Sequence, residues 1–150
     1  MGRFSGLSPN FRKPRIRVSP LETAVRLCDD FHIATTILIV DDHPAFRRSA
    51  RRLLEGEGFD VVGVAVDGTS ALRAVDETAP DVVLLDIALP DSSGFDVAAR
   101  LADSPAKVVL TSSRAQSDLG PRLRHSQALG FIPKDRLSGD AIRALLEEPV

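Results

Sequence analysis

The sequence has a single cysteine, Cys28, among its 150 residues. A disulfide framework or a cysteine metal site within the chain is therefore excluded, as is typical of proteins from a reducing compartment. No apolar run approaches the roughly 18 residues that a membrane span needs, and the basic N-terminus has no apolar signal-peptide core. These absences predict a cytoplasmic protein that does not enter a membrane.

The sequence also lacks a strong net charge, and its charged residues are unevenly distributed. The net charge is −2, which does not indicate a nucleic-acid-binding protein. Residues 1–33 carry six basic and three acidic side chains, a net +3, so residues 34–150 carry −5. Aromatic interleaving with the basic residues is limited to Phe4 and Phe11, so direct nucleic-acid binding is not expected. The change near residue 33 predicts an N-terminal extension over 1–33 and one domain over 34–150.

The extension itself divides into two parts. Residues 1–18 have no apolar periodicity and cannot bury enough surface to offset the cost of ordering, so we expect them to be disordered. Ser19, Pro20 and Glu22 form a capping-box pattern, and apolar residues follow at helical spacing. This pattern predicts a short helix over 20–31. The helix is either a marginal one without further role or an element for docking or homodimer formation.

Beyond the extension, short apolar runs alternate with helical patterns. Val82–Leu85 is typical of these runs, because four consecutive apolar residues between prolines indicate a strand buried on both faces. Gly120 and Pro121 predict that the fourth helix is short and begins near Pro121. The sequence thus predicts an α/β fold, a doubly wound five-stranded parallel sheet with helices on both faces. Strands are expected at 36–40, 61–65, 82–86, 107–111 and 129–133, and helices at 44–56, 68–78, 94–102, within 114–128, and at 138–148.

Four of the predicted strands end in polar residues, namely Asp41 with Asp42, Asp86, Thr111 and Lys134. Because the carboxyl ends of parallel strands share one edge, we expect these side chains to converge. Three close carboxylates repel one another, and a hard cation such as Mg²⁺ relieves that repulsion. A lysine ammonium and a hydroxyl bind phosphate oxygens. The pattern predicts phosphoryl transfer with Asp86 as the nucleophile.

Other interpretations exist for single parts of this pattern. Asp86 alone fits a turn cap, and Lys134 alone fits a solvated surface residue. A flavin or nucleotide binder needs a phosphate loop where 41–44 reads Asp-Asp-His-Pro, and a haloacid-type phosphatase needs Asp-x-Asp there. His43 is interpreted as a loop residue and His125 as an exposed helical residue, neither with a metal-ligand partner at helical spacing.

The sequence resembles the receiver domain of two-component response regulators over about 36–148. The resemblance implies a flavodoxin-like fold with strand order 2-1-3-4-5. It also implies an aspartyl phosphate formed from a sensor histidine kinase, catalysis only of its own phosphorylation and dephosphorylation, and switched binding of an output protein. The alternative is a degenerate receiver that binds partners without phosphorylation. The motifs that carry the resemblance are Ile37–Pro44, Asp81–Asp86, Leu89–Asp91 with Gly94, Val108–Ser112, and Gly130–Lys134.

The resemblance also implies roles for individual residues. Phe131 would be an aromatic switch that turns inward as the Thr111 hydroxyl moves. The remaining roles are phosphorylation at Asp86, engagement of the phosphoryl group by Thr111 and Lys134, and Mg²⁺ binding by Asp41, Asp42, Asp86 and the carbonyl of Ala88.

Two departures from the family pattern stand out. The family often has proline after the lysine, whereas Asp135 follows here, so a trans Lys134–Asp135 peptide is expected. The Asp-Asp-His-Pro start resembles receivers that precede a DNA-binding domain, yet the sequence ends at Val150. A stand-alone receiver is therefore expected.

Overall fold

Five parallel strands in the order β2-β1-β3-β4-β5 form the centre of the computed structural model, which describes residues 34–114 and 116–147. The predicted fold class and strand order are confirmed. The predicted disorder over 1–18 and the helix over 20–31 lie outside the described residues. The strands are β1 (Thr36–Val40), β2 (Asp60–Ala65), β3 (Val82–Asp86), β4 (Lys107–Ser112) and β5 (Gly130–Pro133), and the helices are α1 (Pro44–Gly56), α2 (Gly68–Thr78), α3 (Gly94–Arg100), α4 (Gln116–Arg124) and α5 (Gly139–Glu147), with a 3₁₀ turn at Lys134–Arg136.

The sheet separates two apolar clusters, since side chains alternate between its faces. Leu84 belongs to the cluster under α1 and α5, which we call the α1/α5 face. Leu85 belongs to the cluster under α2, α3 and α4, the α2/α3/α4 face. All five residues of β1 and of β3 are buried, as expected for strands covered on both faces. Burying one such leucine contributes about 1.5–3 kcal/mol.

Hydrogen bonds at the start of β1 fix the register of the two central strands. The Thr36 amide donates to Asp81 Oδ2 at 2.9 Å, and the Asp81 amide donates to Thr36 Oγ1 at 2.8 Å. Val40 is then level with Leu85 at the other end. Asp41, directly after β1, and Asp86, the last residue of β3, therefore stand side by side.

The helix termini follow the sequence signals. Pro44 occupies the first turn of α1, where its missing N–H costs no hydrogen bond. Ser138 Oγ accepts from the Ala141 amide at 3.0 Å at the start of α5, which confirms the predicted cap. Most helix and strand bounds lie within two residues of those predicted. None of the described helices is long and apolar enough to cross a membrane.

The fourth helix is the exception. It begins at Gln116 rather than near Pro121, so the predicted start is wrong. The predicted interruption does occur, because Gly120 has φ 25° and ψ −107° and divides the helix into two segments. Leu119 is only 4% exposed within the α2/α3/α4 face. Burial of this side chain stabilises a helical turn ahead of the glycine, which local propensity alone does not favour.

Candidate functional site

Three carboxylates lie together beyond the carboxyl ends of β1 and β3. Asp41 is fully buried and Asp86 is 3% exposed, whereas the Asp42 side chain is 37% exposed. One oxygen from each, together with a ring nitrogen of His43, lies within 4.8 Å of the others. The structure thus brings together the three acidic residues that the sequence predicts to converge.

Lys134 is the cation of this cluster. Its Nζ lies 2.6 Å from Asp41 Oδ2 and 3.5 Å from Asp86 Oδ2. The contact with Asp41 is an ion pair with a fully buried carboxylate. The Lys134 side chain is 16% exposed, and its ammonium lies 4.6 Å from the ring centre of Phe46. No cis peptide bond occurs among the described residues, so the expected trans bond to Asp135 is confirmed.

Thr111 stands next to Asp86 in the register of β3 and β4. Its Oγ1 is buried and has no hydrogen-bond partner among the described residues. A buried hydroxyl without a partner costs about 1–3 kcal/mol. A ligand oxygen bound at the carboxylate cluster would offset that cost, so this hydroxyl points to an oxygen-rich ligand.

The pKa of the Asp86 carboxyl is raised above its ordinary value of 3.8, first by burial and then by the charge of Asp41. The Lys134 ammonium and the Ala88 amide, 3.3 Å from Asp86 Oδ1, act in the opposite direction. Three carboxylates face one ammonium here. The cluster therefore retains repulsion that a bound dication would relieve.

This raised pKa predicts how stability depends on pH in the absence of divalent ions. A carboxyl with a higher pKa in the folded state contributes stability that is complete below 3.8 and is lost as the pH rises through its folded-state pKa. The Asp86→Asn variant cannot ionise there. We expect it to be more stable than the parent chain at neutral pH with a chelator present, and the difference to narrow as the pH falls. Urea unfolding of both proteins at several pH values measures this difference. Free energies of unfolding that change in parallel with pH would contradict the prediction.

The loop after β3 is tied to the start of α2 through Asp91. Its carboxylate accepts from the Gly68 amide at 2.8 Å and from the Thr69 amide and hydroxyl at 3.1 and 3.0 Å. These hydrogen bonds lower the pKa of Asp91, and the bond from the Gly68 amide has the largest effect. Sequence reasoning quoted Asp91 only as part of a motif, because the contact spans more than twenty residues. Ala88 lies in this loop and is exposed, and the role of its carbonyl stays a prediction.

Removing this tie should loosen the start of α2 without unfolding the domain. Asp91→Ala leaves the Gly68 and Thr69 amides without their acceptor, so their hydrogen exchange should accelerate by about tenfold or more. Exchange measured by NMR tests this. Asp76→Ala removes an exposed carboxylate from the same helix and should leave both amides unchanged. Equal exchange in the two variants would show that Asp91 is not the anchor.

His43 is a loop residue, as predicted, and it also belongs to the cluster, which the sequence did not predict. Its Nδ1 lies 3.0 Å from Asp41 Oδ1 and 3.3 Å from Asp42 Oδ1. Its amide also donates to Asp41 Oδ1 at 2.9 Å. The signal in the sequence was the position of His43 directly after the acidic pair and before Pro44, which makes it the N-cap of α1. His125 is exposed, as predicted, just beyond the end of α4.

Arg47 is a second residue that the sequence did not assign to the site. The arginines of α1 were interpreted as a solvent face, but Arg47 Nη1 donates to the carbonyl of Asp41 at 2.8 Å. This bond fixes the backbone that leads from β1 into the site. Periodicity could not reveal it, because the acceptor lies outside the helix.

Phe131 lies apart from Thr111 in the strand register. It is half-buried on β5 opposite Leu110, whereas Ile132 is opposite Thr111. Phe131 packs on the α2/α3/α4 face, while the alternation along β4 directs Thr111 toward the other face. The predicted coupling between the two residues stays a prediction.

Comparison with known proteins gives one consistent family. The family model "Response regulator receiver domain" matches residues 37–147. The regulator BvgA of Bordetella pertussis, named as a positive transcription regulator of virulence factors, is 36% identical over 110 residues, which are 72% of this chain and 53% of that protein. The chain spans about half the length of the curated relatives it matches.

Solved structures give the same result. The signal receiver domain of the response regulator NarL from Mycobacterium tuberculosis is similar, with a TM-score of 0.68, 32% identity, and coverage of 76% of this chain and 94% of that one. A CheY-like receiver domain from Methanospirillum hungatei has a TM-score of 0.65 and 26% identity, with coverage of 76% and 92%.

Proposed function

The chain belongs to the response regulator receiver domain family, a signalling module of two-component systems, and from this we propose that Asp86 accepts a phosphoryl group from a sensor histidine kinase. The observation that carries the proposal is the convergence of three carboxylates with Lys134 at one edge of the sheet. A degenerate receiver would have no need of this complete set.

The residues present fit Mg²⁺. This ion takes carboxylate and water oxygens at about 2.0–2.1 Å and uses few protein ligands. Three carboxylates of the cluster share one ammonium, which lies 2.6 Å from Asp41 Oδ2. Burial and then the charge of Asp41 raise the pKa of Asp86, and a further cation would relieve that repulsion. We propose that the ion is held by Asp41, Asp42, Asp86 and the carbonyl of Ala88. Bound there, Mg²⁺ would neutralise charge on the phosphoryl oxygens during transfer.

The protein groups have distinct parts in the proposed transfer. An Asp86 oxygen attacks phosphorus in line, a P–O bond forms, and the P–N bond to the kinase histidine breaks with its electron pair passing to the leaving imidazole. Lys134 would shift from Asp86 Oδ2 toward a phosphoryl oxygen. The unpartnered Thr111 hydroxyl would donate to another. Each contact is stronger in the transition state than before it, which is the condition for catalysis.

The output of the switch is proposed from the relatives. They are named as transcriptional regulators, and the matched region covers only about half of each of them. We propose that phosphorylation changes binding to an output protein or region that regulates transcription in the cytoplasm. The expectation that direct nucleic-acid binding is absent concerns the receiver domain alone and stays a prediction.

Phosphorylation by a small acyl phosphate donor tests this proposal. The full chain with millimolar Mg²⁺ should gain the mass of one phosphoryl group, and the chelated sample should not. Mg²⁺ should also raise the unfolding temperature, since it binds only the folded state, and Asp42→Asn should lose most of that rise. A rise in the unfolding temperature without phosphoryl labelling would instead support the degenerate receiver.

A further inference from the structure

The acidic cluster contains one donor that is not an oxygen. We propose that His43 adds a nitrogen ligand to the cation site, so that the site binds a transition-metal dication, with Cu²⁺ as the probe, through imidazole as well as carboxylate. The inference rests on the proposed function, because it concerns the same site.

The distances suit neighbouring ligands of a single ion. With metal–ligand bonds of about 2.1 Å, adjacent ligands of an octahedral ion are about 3.0 Å apart and opposite ones about 4.2 Å. His43 Nδ1 lies 3.0 and 3.3 Å from oxygens of Asp41 and Asp42. The full set, including Asp86, spans 4.8 Å, so a slight contraction closes it around an ion.

The local backbone holds His43 in this place. It is the N-cap of α1, with φ −95° and ψ 112°, and Pro44 fixes the start of the helix. The amide of His43 bonds to Asp41 Oδ1, while Arg47 holds the Asp41 carbonyl. The Cα–Cβ bond of His43 is thus fixed relative to the carboxylates.

The ring itself is free to adjust. The side chain of His43 is 65% exposed, so turning Nδ1 from Asp41 Oδ1 onto an ion breaks one contact and creates no cavity. Next to Asp86 in the strand register, the buried Thr111 hydroxyl has no hydrogen-bond partner among the described residues. This hydroxyl is a second, independent indication of a ligand at the cluster.

Ligand chemistry determines what this donor would change. Mg²⁺ prefers oxygen ligands, whereas imidazole suits the later first-row ions such as Ni²⁺, Cu²⁺ and Zn²⁺. His43 should therefore contribute little to Mg²⁺ binding and substantially to binding of the softer ions. A role for His43 only as a hydrogen-bond donor to Asp41 predicts similar effects on both kinds of ion.

Pulsed EPR of Cu²⁺ bound to the full chain tests the ligand directly. The spin echo should show hyperfine coupling to a directly bound nitrogen, and labelling the histidines with ¹⁵N should change it. His43→Gln should remove the coupling, while His125→Gln, at an exposed position away from the cluster, should retain it. Bound Cu²⁺ without nitrogen coupling, or coupling that survives His43→Gln, would overturn the inference.

Calorimetric titration separates this inference from the proposed function. His43→Gln should weaken Cu²⁺ binding by about tenfold and change the Mg²⁺ dissociation constant by less than about twofold. Equal weakening of both ions would overturn the inference and leave the Mg²⁺ site intact. A parent chain that binds neither ion would instead overturn the proposed function.

Discussion

Asp86→Asn should reduce phosphoryl labelling to background while leaving the fold intact. The amide keeps the size and polarity of the carboxyl but is not a nucleophile, and losing a nucleophile costs several orders of magnitude in rate. Asp41 cannot replace it, although Lys134 lies closer to Asp41. Both Asp41 oxygens are engaged, one by His43 and one by Lys134, and the residue is fully buried. Asp86 in addition has Thr111 beside it.

The measurement is intact mass after incubation with the acyl phosphate and Mg²⁺. Circular dichroism and thermal unfolding verify that the variant is folded. Asp76→Asn, which neutralises an exposed carboxylate on α2, is the matched control and should label like the parent chain. Phosphorylation of the Asp86→Asn variant would show that another side chain is the acceptor.

Gly94→Ala should be among the most destabilising single substitutions in the domain. A methyl group there would meet the Asp86 carbonyl oxygen at 2.4 Å and Ile87 Cα at 2.7 Å. Both atoms belong to the backbone of β3 and its exit, so no side-chain rotation relieves the contact. The Gly94 amide also bonds to the Ile87 carbonyl at 2.6 Å. We expect a loss of about 3 kcal/mol or more.

Gly56→Ala is the control for this effect. Nothing lies within 4 Å of a methyl group at Gly56, and the residue is in the last turn of α1. The substitution should be neutral or stabilise by about 0.5–1 kcal/mol. Urea unfolding of both variants gives the comparison, and similar free energies of unfolding would show that the loop yields at Gly94 at little cost.

The architecture could be predicted because the strong signals are local. Asp86 directly follows the apolar run Val82–Leu85. This pattern of apolar residues before a carboxylate predicts both a covered strand and the position of its carboxyl end. Parallel topology then places such ends along one edge without knowledge of any contact. Lys134 and Thr111 joined the site by the same argument, although the strand order came from the resemblance.

The residues that were missed depend on contacts without a periodic signal. His43 reaches the carboxylates through an N-cap conformation, and Arg47 through a carbonyl outside its helix. Asp91 bonds to a helix more than twenty residues earlier. The early start of α4 depends on burial of Leu119. The Gly-Pro pair that follows Leu119 does not favour a helix, so the sequence did not predict this turn.

The two-sided core has a consequence for how this chain could diverge. The sheet acts as a partition, with Thr111 directed to the α1/α5 face and Phe131 packed on the other. Helices α2, α3 and α4 can therefore accumulate substitutions that suit a new partner without disturbing side chains beneath α1 and α5. A conformational change on one face must then reach the other face through displacement of the shared strands. Recognition and chemistry can accordingly change at separate rates while the strands that join them stay constrained from both sides.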